Sequence, residues 1–134
     1  MPTRKSPIRL QFTREERLKG RKDIREVFDR GKRYISKGDA VSGGNAGCGG
    51  AKLFVLKNSL PRNRICFTFS RGFGNAVTRN RARRLGREAY RSLKPRLKCG
   101  NDMILLVYPE DVRSTLAGRA QQLETLFARA GLLL

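Results

Sequence analysis

Seven arginines stand within residues 71–91, at positions 71, 79, 81, 83, 84, 87 and 91, against a single acid, Glu88. A guanidinium group is a planar fork that binds phosphate oxygens in pairs and stacks on nucleobases. The chemistry these side chains could do is therefore recognition of a polyanion. The chain has no histidine, and its three cysteines, Cys48, Cys66 and Cys99, are widely separated. That pattern argues against a zinc site and against a disulfide framework. It also removes most schemes in which histidine acts as general base or activates a nucleophile. Four carboxylates, Glu88, Asp102, Glu110 and Asp111, are the candidates for a metal-dependent nuclease, but no pair among them has the spacing that two bridging metals need.

The spacing of the arginines makes the case sharper. On a helical wheel at about 100° per residue, Leu85, Ala89 and Leu93 fall together with Thr78 and Ala82, the side expected to pack on a sheet. Asn80, Arg83, Arg84, Arg87 and Arg91 fall on the opposite side, with Arg81 at the border. A merely solvated face gains from alternating signs at i, i+4. This one repeats the same sign at Arg79/Arg83, Arg83/Arg87 and Arg87/Arg91, and only Arg84/Glu88 is an opposite pair. Each like pair costs about 0.2–0.5 kcal/mol in an isolated helix, a cost that an incoming row of phosphates removes. A membrane surface would also attract a basic helix, but it calls for large apolar residues on the buried side, and here those positions are mainly alanine and leucine. Gly72 and Gly74 before the helix could bring backbone amides close to a phosphate, yet no Walker lysine follows.

Charge is segregated along the whole chain. The 134 residues carry a formal charge of +19, with a pI of about 11.3. Segment 62–98 holds 12 basic residues and 1 acid, whereas 99–134 holds 3 and 4. Solubility alone needs no such segregation; a nucleic-acid partner does. No apolar run approaches the roughly 20 residues that span a bilayer, and the basic N-terminus lacks the apolar stretch of a signal peptide. These features, with unpaired cysteines, point to a cytoplasmic protein with no membrane partner and no evident protein partner.

The elements that must position the arginines follow from periodicity. Residues 1–20 read as a basic arm, with Thr13 to Glu16 fitting a capping box. Residues 21–134 form one domain. A helix is expected over 21–30, where Ile24, Val27 and Phe28 share a face and Gly31 ends it. Strands are expected over 33–41, 52–58, 64–70 and 103–109, the last being most apolar and so central. Within 64–70, Ile65, Phe67 and Phe69 point to one side and Cys66, Thr68 and Ser70 to the other. Helices follow over 77–97 and 115–130, with Ser114 as the expected cap of the last. Five glycines in the nine residues 42–50 make a loop or insertion that packs no core. Helix, strands, helix, strand, helix is the order of an α/β sandwich. Aromatic residues on an open sheet face beside cations would stack on single-stranded RNA.

The segment SRGFGNAVTRNRARRLGRE (70–88) resembles the signature of the bacterial ribonuclease P protein subunit. It supplies Ser70, Arg71, Gly74, Asn75, Ala76, Val77, Arg79, Asn80, Arg81, Arg83, Arg84 and Arg87 in the family's order. Weaker similarity runs through 17–31, through MILLVYP (103–109) and through the last helix. The resemblance implies an α+β, two-layer, ribosomal-protein-like sandwich of about four strands and three helices, with a left-handed βαβ crossover. It implies a non-catalytic subunit of an endoribonuclease. The partner RNA, with Mg²⁺ held chiefly by that RNA, removes the 5′ leader of precursor tRNA, and the protein binds the leader and improves substrate and metal affinity. On this resemblance Arg71, Asn75, Arg79, Asn80, Arg81, Arg83, Arg84, Arg87 and Arg91 contact RNA. Ile24, Phe28, Tyr34 and Thr68 line the leader cleft. Three positions depart from the family pattern: Gly72 replaces a basic residue, Ile24 an aromatic one, and Gly86 a larger apolar one. A different RNA-binding protein of the same fold, such as a ribosomal protein, is the alternative at this stage.

Overall fold

The computed structural model describes residues 13–36, 49–109 and 114–134. Residues 42–48 of the glycine-rich stretch, Cys48 among them, Glu110, Asp111 and the first twelve residues of the expected arm lie outside them. Helix α1 spans Arg21–Arg30, strands β1, β2 and β3 span Lys32–Ser36, Ala51–Lys57 and Arg64–Phe69, helix α2 spans Ala76–Leu93, strand β4 spans Asn101–Val107 and helix α3 spans Leu116–Arg129. The strands form one mixed sheet in the order β1-β2-β4-β3. β1 and β4 flank β2 antiparallel, and β3 runs parallel to β4. The β3–α2–β4 unit is thus a parallel crossover, and β4 is central, as its apolar sequence predicts.

Alternation along the strands divides the side chains between two faces. Leu53, Leu105 and Phe67 align in one row, as do Val55, Met103 and Ile65. They join Ala89, Tyr90 and Leu93 of α2 and Leu123, Leu126 and Phe127 of α3 in the main core. The Tyr90 and Phe127 rings meet edge to face at 6.3 Å. The opposite face carries Phe54 and Ile104, which pack with Leu18 and with Val27 and Ile24 of α1. α1 therefore adds a partial third layer to the expected sandwich. It is held there by Arg64, which reaches Asp23 at 3.6 Å and grips buried Asp102 at 2.6 Å. Asn58 donates to the same carboxylate at 2.7 Å.

Several boundaries differ from expectation for identifiable reasons. α2 stops at Leu93 instead of 97, and a 3₁₀ turn over Lys94–Arg96 contains Pro95, which has no N–H to continue the ladder. β4 begins two residues early because Asn101 and Asp102 are buried and paired across to Lys57 and Leu56. The cap of α3 is Thr115, not Ser114: the Thr115 hydroxyl accepts from the Gly118 N–H at 3.0 Å. Ser114 is buried instead, where its hydroxyl accepts from Gly49 N–H and from Arg119. Gln122, bonded to Arg119, donates to Ser36 and to the Gly49 carbonyl at 2.8 Å. The two described ends of the glycine-rich connection are thus clamped to α3.

Residues 13–18 pack along β3. Thr13 and Glu16 form the expected capping box, Glu16 pairs with Lys94 at 2.6 Å, and the Leu18 N–H donates to the Ile65 carbonyl. Arg17 is thereby bridged to Ile65 at the outer edge of the sheet.

Candidate nucleic-acid interface

α2 starts where the chain turns off β3. Gly72 and Gly74 both have positive φ, +83° and +148°, which glycine adopts without strain. Asn75 is the N-cap: its side-chain carbonyl accepts from the Thr78 N–H at 2.9 Å. Asn75 thus has a local folding role that its motif position did not disclose. Arg71 is exposed on the turn.

The buried stripe of α2 is Ala82, Gly86, Ala89, Tyr90 and Leu93. It is rotated by roughly half a residue's turn from the expected Leu85-centred side; Thr78 is exposed and Leu85 only half-buried. Gly86 explains the rotation. A Cβ there would lie 2.8 Å from Cδ1 of Phe67, so the absence of a side chain lets the helix settle on the ring. The position that departs from the family pattern is a packing contact with β3.

This rotation brings the cationic side over the β3 edge. Arg17, Asn80, Arg83, Arg84, Arg87, Glu88 and Arg91 line a cleft of about 660 Å³. Arg83 lies over the Phe69 ring at 5.2 Å and donates to Asn80 Oδ1 at 2.8 Å. Burial, together with the charges of Arg17 and Arg83, holds the Arg87 guanidinium below the ordinary arginine value. Glu88 pairs with Arg91 at 3.2 Å, one turn onward, and not with Arg84 as the spacing suggested. Arg84 is exposed and makes no ion pair or hydrogen bond among the described residues. Besides Arg71 and Asn75, two more expected contacts sit apart from the cleft. Arg79 donates to the Gly74 carbonyl at 3.0 Å, and Arg81 donates to the Ser114 carbonyl at 3.0 Å, tying α2 to α3.

The leader-cleft residues divide between the two faces. Phe28 is 38 % exposed beside Phe54, edge to face at 4.8 Å. Ile24 is half-buried in the same cluster, and Thr68 lies on the same face beyond it. Tyr34 does not join them. It pairs with Leu53 and packs on the main core, because the register of β1 sends Tyr34 to the closed face and Ile35 to the open one. Ile35, Lys52, Leu106 and Thr68 form a continuous row across all four strands. The Lys52 ammonium stands 5.7 Å from the centre of the Tyr108 ring. Sequence reasoning missed Ile35, Lys52 and Tyr108; alternation within β2 groups Lys52 with Phe54, but only the pairing register assembles the row. Cys66 borders this face, and burial raises its thiol pKa against the opposing charges of Arg83 and Arg87. The arginine cleft and the open face therefore meet at β3.

Such a surface can hold a phosphodiester backbone with guanidinium forks on one flank and offer apolar and aromatic contacts to bases on the other. Of the carboxylates that could have served a nuclease, Asp102 is engaged by Arg64 and Asn58 and Glu88 by Arg91. No helix among the described residues is long and apolar enough to cross a membrane.

The sequence model of the Ribonuclease P family matches residues 12–131. The chain belongs to that family. The ribonuclease P protein component of Natranaerobius thermophilus is 42% identical over 89 residues, 66% of this chain and 67% of that one. The component from Clostridioides difficile is 28% identical over 121 residues, 90% of this chain and 96% of that one. Among solved structures, the Staphylococcus aureus RNase P protein superposes with a TM-score of 0.71 at 19% identity, covering 89% and 98% of the two chains. The Thermotoga maritima RNase P protein gives 0.67 at 24% identity, covering 85% and 96%. The family match decides between the ribonuclease P and ribosomal alternatives that the basic sandwich had left open.

Proposed function

We propose that this chain is the RNA-binding, non-catalytic subunit of a ribonuclease P holoenzyme. The arginine cleft engages phosphates of the catalytic RNA, and the open sheet face receives the single-stranded 5′ leader of precursor tRNA. The observation that carries this reading is the convergence of five arginines on one cleft whose single carboxylate, Glu88, is taken by Arg91. Arg84 presents its whole fork, Arg87 stands half-buried in the lining, and Arg83 is braced by Phe69 and Asn80. Pre-positioned forks lose less side-chain entropy on binding phosphate than free ones. Arg71, Asn75, Arg79 and Arg81 extend the same surface around the start of α2.

The open face suits a single strand. Phe28 and Tyr108 offer rings for stacking, Lys52 and Arg33 offer charge, and Thr68 a hydroxyl. Contacts of this kind tolerate any base sequence, which a leader-binding subunit requires. In ribonuclease P, Mg²⁺ supplies Lewis-acid stabilisation and an activated water. Among the described residues, Asp102 is already engaged by Arg64 and Asn58, and the metal is assigned to the RNA. The protein contributes by neutralising phosphates and fixing the position of the substrate strand.

The test is reconstitution with a bacterial ribonuclease P RNA transcript. Leader removal at low Mg²⁺ should depend on both components, and protein free of RNA should cut nothing. Arg84→Ala with Arg87→Ala should weaken RNA binding by roughly tenfold or more, since each charged hydrogen bond contributes about 1.5–3 kcal/mol. The plot of log K against log salt should flatten by about 1.5. Thermal melting separates this loss from misfolding. A wild-type salt slope in a folded double variant would count against the arginine cleft as the contact.

A further inference from the structure

At the other edge of the sheet, α1, β1, β2 and the end of α3 enclose a hollow of about 730 Å³. Arg30, Lys32, Lys57 and Lys98 stand around it, with Tyr34 and Cys99 in its lining and no carboxylate among the lining residues. All four cations are exposed. Arg30 pairs with Glu26 at 3.3 Å; Lys32, Lys57 and Lys98 make no ion pair among the described residues. Two helices end here, α1 at Arg30 and α3 at Arg129. Each helix C-terminus carries only about half a negative charge, so the cations outnumber what the helix ends can neutralise.

We propose that this hollow is a second RNA-backbone site, which engages a strand separate from the one held by α2. It rests on the RNA-binding reading above but not on the arginine cleft. β1 and β3 are the outer strands of a four-stranded sheet, about 14 Å apart at an inter-strand spacing of about 4.8 Å. The hollow, which also reaches the start of β4, shares no lining residue with the arginine cleft, and the protein bridges two segments of RNA.

The chemistry of the two regions also differs. The α2 cleft is arginine-rich and pre-positioned, suited to paired contacts with defined phosphates. The β1 hollow is lysine-rich, and lysine is a mobile point charge with strong hydration. Its cations are spread around a rim and do not converge on a point, which fits successive phosphates of a chain better than one small anion. Tyr34, half-buried and packed on the core, offers a ring against which a sugar or base can rest. The expected contact is sequence-independent and strongly salt-dependent.

Cys99, free and exposed in the lining, is a built-in probe. In a Cys48→Ser, Cys66→Ser protein, an azidophenacyl group on Cys99 should photo-cross-link to discrete nucleotides of the ribonuclease P RNA transcript. Those nucleotides should differ from the ones reached in a cysteine-free protein carrying Arg84→Cys with the same group. Lys32→Glu, Lys57→Glu and Lys98→Glu together should weaken binding about tenfold or more and flatten the salt slope by about 2–3, with the melting temperature unchanged. Cross-linking from position 84 but not from 99, or a triple variant with wild-type affinity and slope, would overturn the second site and leave the arginine cleft intact. Binding of inorganic phosphate at the hollow without any RNA cross-link would also overturn it. A wild-type protein that binds no RNA at all would overturn both readings.

Discussion

The two faces of the sheet are made from the same strands by alternation, and they end in opposite conditions. On the closed face Leu53, Met103 and Leu105 have no exposure, sealed beneath α2 and α3. On the other, α1 covers only the Phe54 and Ile104 row, and Ile35 is left 53 % exposed. A short helix of ten residues cannot cover a four-stranded sheet, and the next row, Ile35, Lys52, Leu106 and Thr68, is left uncovered. The packed core lies on one side, and the surface proposed above for recognition lies on the other. The arginine helix serves both: its glycine–alanine–tyrosine stripe closes the core, and its opposite side borders the open strip.

Neighbouring leucines of β4 test that division most severely. Leu105 is fully buried on the closed face, and Leu106, one residue later, is only half-buried on the open one. Leu105→Ala should cost about 2–5 kcal/mol of folding free energy, the range for a leucine removed from a packed core. Leu106→Ala should cost less than half of that in the same urea titration. Equal losses would mean that the open face is as much a core as the closed one, and the separation of roles would fail.

The fold was legible wherever one element carried its own period. The alternation of Ile65, Phe67 and Phe69 gave β3 its buried side, and the arginine periodicity gave α2 its cationic side. Register was not legible. Nothing local to KRYIS (32–36) distinguishes Tyr34 inward from Tyr34 outward, because the choice depends on Lys52 and Leu53 some twenty residues later. Thr115 and Ser114 are equally good caps by composition; the buried Arg119 claims Ser114. Residues 1–20 read as an arm because they are polar and basic and no amphipathic run follows their capping box; a single leucine gives no period, yet Leu18 is buried on β3, and Glu16 of the capping box also pairs with Lys94.

A middle-sized effect comes from Gly86, where helix propensity and packing make opposite demands. Alanine is worth up to about 1 kcal/mol over glycine in a helix interior. Here its Cβ would sit 2.8 Å from the Phe67 ring, and overpacking a well-filled core costs about 1–3 kcal/mol. Gly86→Ala should therefore lose up to about 2 kcal/mol net. Adding Phe67→Leu, which removes the obstructing ring, should make Gly86→Ala neutral or favourable on that background. If Gly86→Ala stabilises the wild-type protein, the close approach of α2 to β3 is not what selects glycine.

The smallest effect concerns the border between the two regions. Burial raises the Cys66 thiol pKa, and the charges of Arg83 and Arg87 oppose it without cancelling it. Between the ordinary thiol value, about 8.5, and the raised one, the unfolded chain has lost this proton and the folded chain has kept it. The unfolded state then binds fewer protons, so stability falls as pH rises through that window. Tyr90, raised by burial and by Glu16, adds to the decline at higher pH. Near pH 8.5, Cys66 should react with iodoacetamide more slowly than a cysteine in an unstructured peptide, because less of it is thiolate. RNA bound along the β3 edge should slow it further by covering the open face. In Arg83→Gln with Arg87→Gln the opposing charges are gone, and the thiol should move higher still and react more slowly in the free protein. Faster alkylation in that variant would mean that the arginines act on Cys66 by steric cover and not by charge, and that the cleft and the open face are coupled by packing alone.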